Sequence, residues 1–529
     1  MQRRHLFSTA ALAAVFSAGL LAAPAEAKEL RWAFQTDTTS LDPMGHNVTF
    51  TFSVLGNVYE GLVRRGADLE IEPALAEKWE IVEPNRWRFH LRKGVKFHNG
   101  NDFNADDVIF SYQRINNPDS NVRDRVAGVT EVVKVDDYTV DFVTEVPNPI
   151  LISQWESFFM MDKEWAEANG ATVPTNTTKG IESYAGQHAN GTGPFKISER
   201  TVDVRTVFVP NTEWWDKATH NLTKVTMTPI TQSATRVAAL LSGEIDMMYP
   251  APLQDIERIN NNQGTSVVSG PELRTIFLGM DQFRDKALGT NTEKNPFKDV
   301  RVRKAVYQAI DIELIKKRIM RGLADPSSIM ISPKLFALAD QVKRWPYDPE
   351  ASKKLLAEAG YPDGFETRMD CPNDRYVNDA QICQAITAML ARVGIKLNMR
   401  AYPKAQFFAD INRGKQDFAI YLLGWTPSSF DSHNVYYNLM STWNEKTGQG
   451  RVNYGDFSDP RIDEITKLIL TETDQAKRDK LILEGYQLVK EKAYYIPLHQ
   501  QAVVWAARDN IELKQRADNQ FHFRHVTVK

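Results

Sequence analysis

The sequence predicts an α/β fold, and three observations carry that reading. Segments with period-2 apolar alternation recur between segments with helical apolar spacing along the whole chain. The helical segments carry start and stop chemistry, with Asp or Asn ahead of an apolar face and Gly behind it. Beyond the N-terminal segment, no fixed-period repeat and no low-complexity tract interrupts the alternation.

Residues 1–27 read as a cleavable export signal. Arg3 and Arg4 form a positive start, Ala10 to Ala23 is apolar and rich in small residues, and Ala25-Glu26-Ala27 is an A-x-A cleavage site. The apolar stretch is too short to span about 30 Å of hydrocarbon. The Arg3-Arg4 pair followed by His5-Leu6-Phe7 fits either the general (Sec) or the twin-arginine (Tat) export route. No cysteine follows the apolar stretch to carry a lipid, so a freely diffusing Gram-negative periplasmic protein, monomeric, is expected.

In the mature chain, Trp87, Phe89 and Leu91 alternate with Arg86, Arg88, His90 and Arg92, the pattern of a half-buried strand. Asn104 then caps a helix with Asp106 and Asp107 in its first turn and Val108, Ile109, Tyr112 and Ile115 on its apolar face. A hairpin is expected from Val129–Val135 and Tyr138–Val146 around Asp136-Asp137. The run from Gly191 to Ile197 is a turn entering a strand. A helix from Arg236 stops at Gly243. Asp299 caps a helix with Val302, Ala305, Val306 and Ile310 inward, and Asp348-Pro349 opens another that Gly360 closes.

Composition is ordinary globular at 42% hydrophobic, and the length allows two or three domains. The net charge of −3, drawn from 64 basic and 67 acidic residues, becomes −4 once Arg3, Arg4 and Glu26 are removed. Such a balance argues against nucleic acid or an anionic membrane as the main partner. The two cysteines, Cys371 and Cys383, fit a disulfide in an oxidising compartment, with two free thiols as the alternative. C-x11-C without a nearby histidine is not a zinc pattern, and no metal or other cofactor is expected. The sequence contains no G-x-S-x-G, H-E-x-x-H or P-loop, so it is not expected to be an enzyme; a secreted hydrolase has no motif to support it.

The stretch from Ala74 to Arg114, ALAEKWEIVEPNRWRFHLRKGVKFHNGNDFNADDVIFSYQR, resembles the signature region of family 5 extracellular solute-binding proteins. These are the dipeptide- and oligopeptide-type receptors of ABC importers. Further landmarks follow in the family's order: GTGPF from Gly191, RVAALLSGEID from Arg236, the Phe297–Asp311 segment, and the Tyr347–Phe365 segment. The resemblance implies the two-lobed periplasmic-binding-protein fold with a hinge and an interlobe cleft. Lobe I would comprise residues 28–281 with 499–529 returning to it, and lobe II residues 282–498. The implied function is capture of a short peptide or peptide-like solute, delivered to an inner-membrane ABC permease and its ATPase subunits. The same fold also carries opines, glutathione, haem, metal chelates or oligosaccharides, which stand as the alternative cargo.

The resemblance also implies site residues. Arg375, fifty residues before Trp425, matches the arginine that holds a peptide carboxylate, and Trp425 would wall the pocket. From the residues alone, Arg375 reads equally as a turn arginine or a partner of Asp374 or Asp379, and Trp425 as core. Thr426 lies in the same loop. Ser428 stands where dipeptide-type relatives carry an aspartate for the α-amino group, a loss of about 1.5–3 kcal/mol of charge-assisted hydrogen bonding. Either Asp431 replaces it, or the ligand presents no free amine there. His46 and Asn47, in the loop after Ser40-Leu-Asp-Pro43, would face the cleft from lobe I. His433 reads as polar lining rather than a metal ligand.

Overall fold

The computed structural model describes residues 28–155 and 157–529. The expected export signal, 1–27, lies outside the described residues. Among the described residues, no helix is long and apolar enough to cross a membrane.

Two long strands, Thr265–Met280 and Tyr495–Arg508, form the spine. They pair antiparallel from Thr265 opposite Arg508 to Gly279 opposite Tyr495, with an irregularity between Pro271 and Thr275. On one side, Ile420–Trp425 joins Thr265–Met280, followed by Phe365–Pro372 and Ile395–Tyr402. On the other, Met247–Met248 joins Tyr495–Arg508, followed by Glu29–Phe34, Lys224–Pro229, Arg205–Pro210 and Phe195–Thr201. One mixed sheet therefore runs through both halves of the molecule. The Tyr495–Arg508 strand is buried through Ala507, as a strand covered on both faces must be.

The elements read from the sequence are present. Arg86–Leu91 buries Trp87, Phe89 and Leu91 and sits inside a separate four-stranded sheet with Ala76–Glu83, Thr139–Thr144 and Val129–Asp136. Asn104 and Asp107 form a capping box: Asn104 Oδ1 accepts from Asp106 N at 2.8 Å, and Asp107 Oδ2 accepts from Asn104 N at 2.9 Å. Gly243 ends its helix at φ +77°. Asp299 and Asp348 accept hydrogen bonds from the first turns of their helices.

The signature helix, Ala105–Ile115, positions part of the site. Its Arg114 forms a fully buried ion pair with Asp42, at 2.7 and 2.6 Å to the two carboxylate oxygens. Asp42 also accepts from Met44 N and Thr175 N. A buried pair satisfied on every side specifies geometry more than it stabilises. Here it fixes the loop that leads into His46 and Asn47.

Candidate functional site

The turn carrying Arg375 follows the strand Phe365–Pro372 and precedes the helix Asp379–Ala391. Four fastenings hold it. Asp379 Oδ2 accepts from the backbone N–H groups of Arg375 and Tyr376, both at 2.9 Å. Val377 N donates to Gln501 Oε1 at 3.0 Å, and Asn378 Nδ2 donates to the carbonyl of Ile319 at 2.8 Å. Asn378 itself adopts φ +55°, which its short amide side chain tolerates. A disulfide joins Cys371 to Cys383, closing a ring that contains Arg375. The bridged form of the two cysteines is thus the one the molecule adopts.

Asp379 spends its oxygens on the turn's backbone, so the Arg375 guanidinium has no carboxylate partner among the described residues. It lies 5.1 Å from the Tyr376 ring centroid and remains accessible to cleft water although protein crowds it. That crowding, and then the charge of Arg274, push its pKa down from the arginine value; arginine still stays a cation at neutral pH.

Tyr376 donates its hydroxyl to the carbonyl of Gly424 at 3.3 Å. A Cβ on Gly424 would lie 2.7 Å from Tyr376 Cε1 and 2.8 Å from Ile276 Cδ1, so this close approach requires glycine. The strand Ile420–Trp425 then delivers Trp425 to the cleft, where its Nε1 donates to Asn434 Oδ1 at 3.0 Å. Asn434 Nδ2 donates to Ser428 Oγ at 3.0 Å. Phe430, held at φ +53°, turns its ring under Arg65 at 4.8 Å, a contact between the two halves.

These residues line a cleft of about 610 Å³. Its aromatic wall is Phe52, Tyr376, Phe408, Trp425, Phe430 and Tyr454; its amide wall is Asn412, Asn434 and Asn438. Thr426 lines it with a buried hydroxyl that has no partner among the described residues. Five arginines reach it: Arg125, Arg274, Arg375, Arg413 and Arg451. Arg125 pairs with Asp124 at 2.5 Å, Arg274 with Glu272 at 3.1 Å and Arg413 with Asp456 at 2.6 Å. The lining acids Asp124 and Asp518 are both in ion pairs, Asp518 with Arg516 at 2.5 Å. Positive charge is left over.

Of the residues expected at the site, Arg375, Trp425, Thr426, Ser428 and Asn47 all line this one cleft. Asn47 accepts from Arg125 Nη2 at 3.1 Å. Asp431 does not line it. Its carboxylate caps the helix Ser432–Val435, accepting from His433 N, and forms a two-point ion pair with Arg478 at 2.9 and 2.6 Å. His46 also falls outside the wall, half-buried with its pKa lowered by burial. His433 is buried behind the loop, its pKa pushed down to about 4 by burial. Sequence reasoning missed Arg125, Arg274, Arg413 and Arg451, which sit in unremarkable surroundings in the chain and converge only on folding.

Residues 70–447 match the bacterial extracellular solute-binding proteins, family 5, middle region. The chain is a family 5 solute-binding protein. It is 27% identical over 497 residues to the glutathione-binding protein GsiB of Salmonella choleraesuis strain SC-B67, covering 92% of this chain and 91% of that protein. It is 28% identical over 470 residues to heme-binding protein A of Haemophilus influenzae, covering 83% and 81%. The fold superposes on the periplasmic binding protein DppA of Helicobacter pylori in complex with the peptide STSA. That match has a TM-score of 0.79 at 24% identity and covers 95% of this chain and 98% of that one. As a family 5 member the protein binds a small solute for ABC import outside the cytoplasm and performs no chemistry on it. The fold is the mixed α/β fold of the family 5 periplasmic binding proteins.

Proposed function

We propose that this protein captures a short peptide or peptide-like solute by its carboxylate, without requiring a free α-amine. It then delivers the solute to an inner-membrane ABC permease from the Gram-negative periplasm, after export by the Sec or Tat route. The observation that carries the reading is the contrast between Arg375 and the acids. Arg375 faces the cleft with no carboxylate of its own, whereas Asp124 and Asp518 are already paired. Ser428 offers a hydroxyl where an ammonium would want a carboxylate, and Asp431 is committed to Arg478. Burying an ammonium there leaves a charge unpaired, which disfavours solutes that present one. Non-peptide carboxylates such as opines satisfy the same contrast and form the second reading.

Lobe boundaries at residues 28–281 and 282–498, with 499–529 returning, put both crossings in or beside the two long strands. Closure over the solute would exclude water and strengthen the Arg375 contact.

Thermal unfolding of the mature protein with di- to pentapeptides tests the reading. Free, N-acetylated and C-amidated forms are compared. Saturation at about 100 times the dissociation constant stabilises by about 2.7 kcal/mol. N-acetylated peptides should shift the transition and C-amidated ones should not. Arg375→Ala should lose about 1.5–3 kcal/mol of binding. Unchanged affinity in that variant, or a strict need for the free amine, would refute it.

A further inference from the structure

We propose that Arg451 forms a second anion subsite in the cleft, so that the preferred solute carries two carboxylates, one on Arg375 and one on Arg451. This deepens the carboxylate reading of the cleft and rests on it.

Of the five arginines lining the cleft, only Arg375 and Arg451 lack a carboxylate partner among the described residues. Arg451 is nevertheless held in place. Its Nε donates to Asn438 Oδ1 at 3.0 Å, and Asn438 Nδ2 donates to the carbonyl of Asn434 at 2.8 Å. Asn434 in turn is the residue bound to both Trp425 and Ser428. A polar ladder thus runs from the pocket wall to Arg451 and orients its side chain by one nitrogen. The two terminal nitrogens, the fork that takes a carboxylate, make no hydrogen bond to a described residue.

The surroundings leave those nitrogens to an incoming group. Tyr454 spends its hydroxyl on Asn412 Oδ1 at 3.0 Å, and Tyr437 spends its own on the carbonyl of Thr447. The Arg451 charge is felt at both phenols, where it opposes the rise caused by burial. Tyr454 lines the same cleft as Arg375 and Arg451. The lining acids do not compete for Arg451: Asp124, whose charge also reaches Tyr437, is held by Arg125 at 2.5 Å, and Asp518 by Arg516 at 2.5 Å. Two guanidiniums without a carboxylate partner in one cleft complement a solute that brings two negative charges.

The test uses matched blocked peptides: succinyl-Ala, succinyl-Ala-Ala and succinyl-Ala-Ala-Ala against their acetyl counterparts. Each succinyl peptide adds one carboxylate and no ammonium. Calorimetric titration of the wild-type protein should show at least one succinyl peptide binding about tenfold or more tighter than its acetyl partner. Arg451→Gln should abolish that preference, and Arg375→Gln should weaken both series. Equal affinities across all three lengths would overturn the subsite, as would a preference that survives Arg451→Gln. If Arg451→Gln weakens both series equally, the residue serves lobe closure through Asp124 and the subsite is overturned. If neither series binds, or Arg375→Gln changes nothing, the underlying carboxylate reading fails and takes the subsite with it.

Discussion

Gly424 shows how a single position without a side chain can set the place of a charge. The backbone there lies against the Tyr376 ring, whose hydroxyl returns a hydrogen bond to the Gly424 carbonyl. Tyr376 in turn lies beneath Arg375. A methyl group on Gly424 has no room, because the three atoms it would meet, on Tyr376, Ile276 and Arg274, belong to buried side chains. Gly424→Ala should therefore destabilise by about 1–3 kcal/mol through overpacking. It should also weaken binding of carboxylate solutes by displacing the Tyr376–Arg375 unit. Denaturant unfolding and solute titration of the same variant check both effects; intact affinity would show that Tyr376 does not position Arg375.

At the scale of elements, the disulfide is the feature most directly tied to the site. It joins the end of the strand Phe365–Pro372 to the helix Asp379–Ala391, with the Arg375 turn inside the ring. By the chain-entropy estimate a ring of this size contributes up to about 3 kcal/mol. Reduction, or the pair Cys371→Ser with Cys383→Ser, should lower the unfolding temperature. It should also weaken carboxylate binding, because the anchoring turn loses one of its four fastenings. Stability lost with affinity unchanged would mean that Asp379, Gln501 and Asn378 hold the turn by themselves. Much of this element-level organisation was legible in the sequence. Helix caps and strand alternation are short-range chemistry, which is why Asn104, Gly243, Asp299 and Asp348 do what their neighbours imply. The arginine partnerships were not legible. Glu272 and Arg274 are two positions apart in sequence, but Arg413 with Asp456 and Arg478 with Asp431 are separated by 43 and 47. Nothing local distinguishes an arginine that is neutralised by a distant acid from one left free, so Asp431 looked available to a ligand when it was not.

Across the whole molecule, buried histidines set a pH dependence. His433 is pushed down to about 4 and His499 to about 3, in both cases chiefly by burial. His98 and His525 are lowered to about 4 for the same reason. In the unfolded chain these groups take up protons as pH falls through about 6.5. In the folded chain they do not until roughly their lowered values. Their contribution to stability is thus complete above about pH 6.5 and lost as pH falls towards 4, on the order of 2 kcal/mol each for His433 and His499 at pH 5. Asp107, pushed up to about 7 by burial, works in the opposite direction, as do Glu60, Asp370 and Asp379. With the histidine shifts dominant, the unfolding temperature should fall between pH 7 and pH 5. His499→Gln should remove part of that fall, since neither ring nitrogen of His499 has a partner to lose among the described residues. A flat profile in the wild type, or an unchanged slope in the variant, would show that the imidazoles are hydrated and titrate normally.

The fastening of Val377 to Gln501 has a mechanical consequence. Gln501 lies on the strand Tyr495–Arg508 opposite the irregular stretch between Pro271 and Thr275, and its Nε2 donates to Glu272 Oε2 at 2.6 Å. Glu272 also holds Arg274. The Arg375 turn and the irregular stretch of the two long strands are therefore separated by a single side chain. A twist of the two long strands pulls on Val377 directly, and a load on Arg375 is transmitted back to the strands by the same route. If Arg375 is the grip and these strands are the pivot, as proposed, arrival of the solute need not be relayed across the molecule, because the two are parts of one lever.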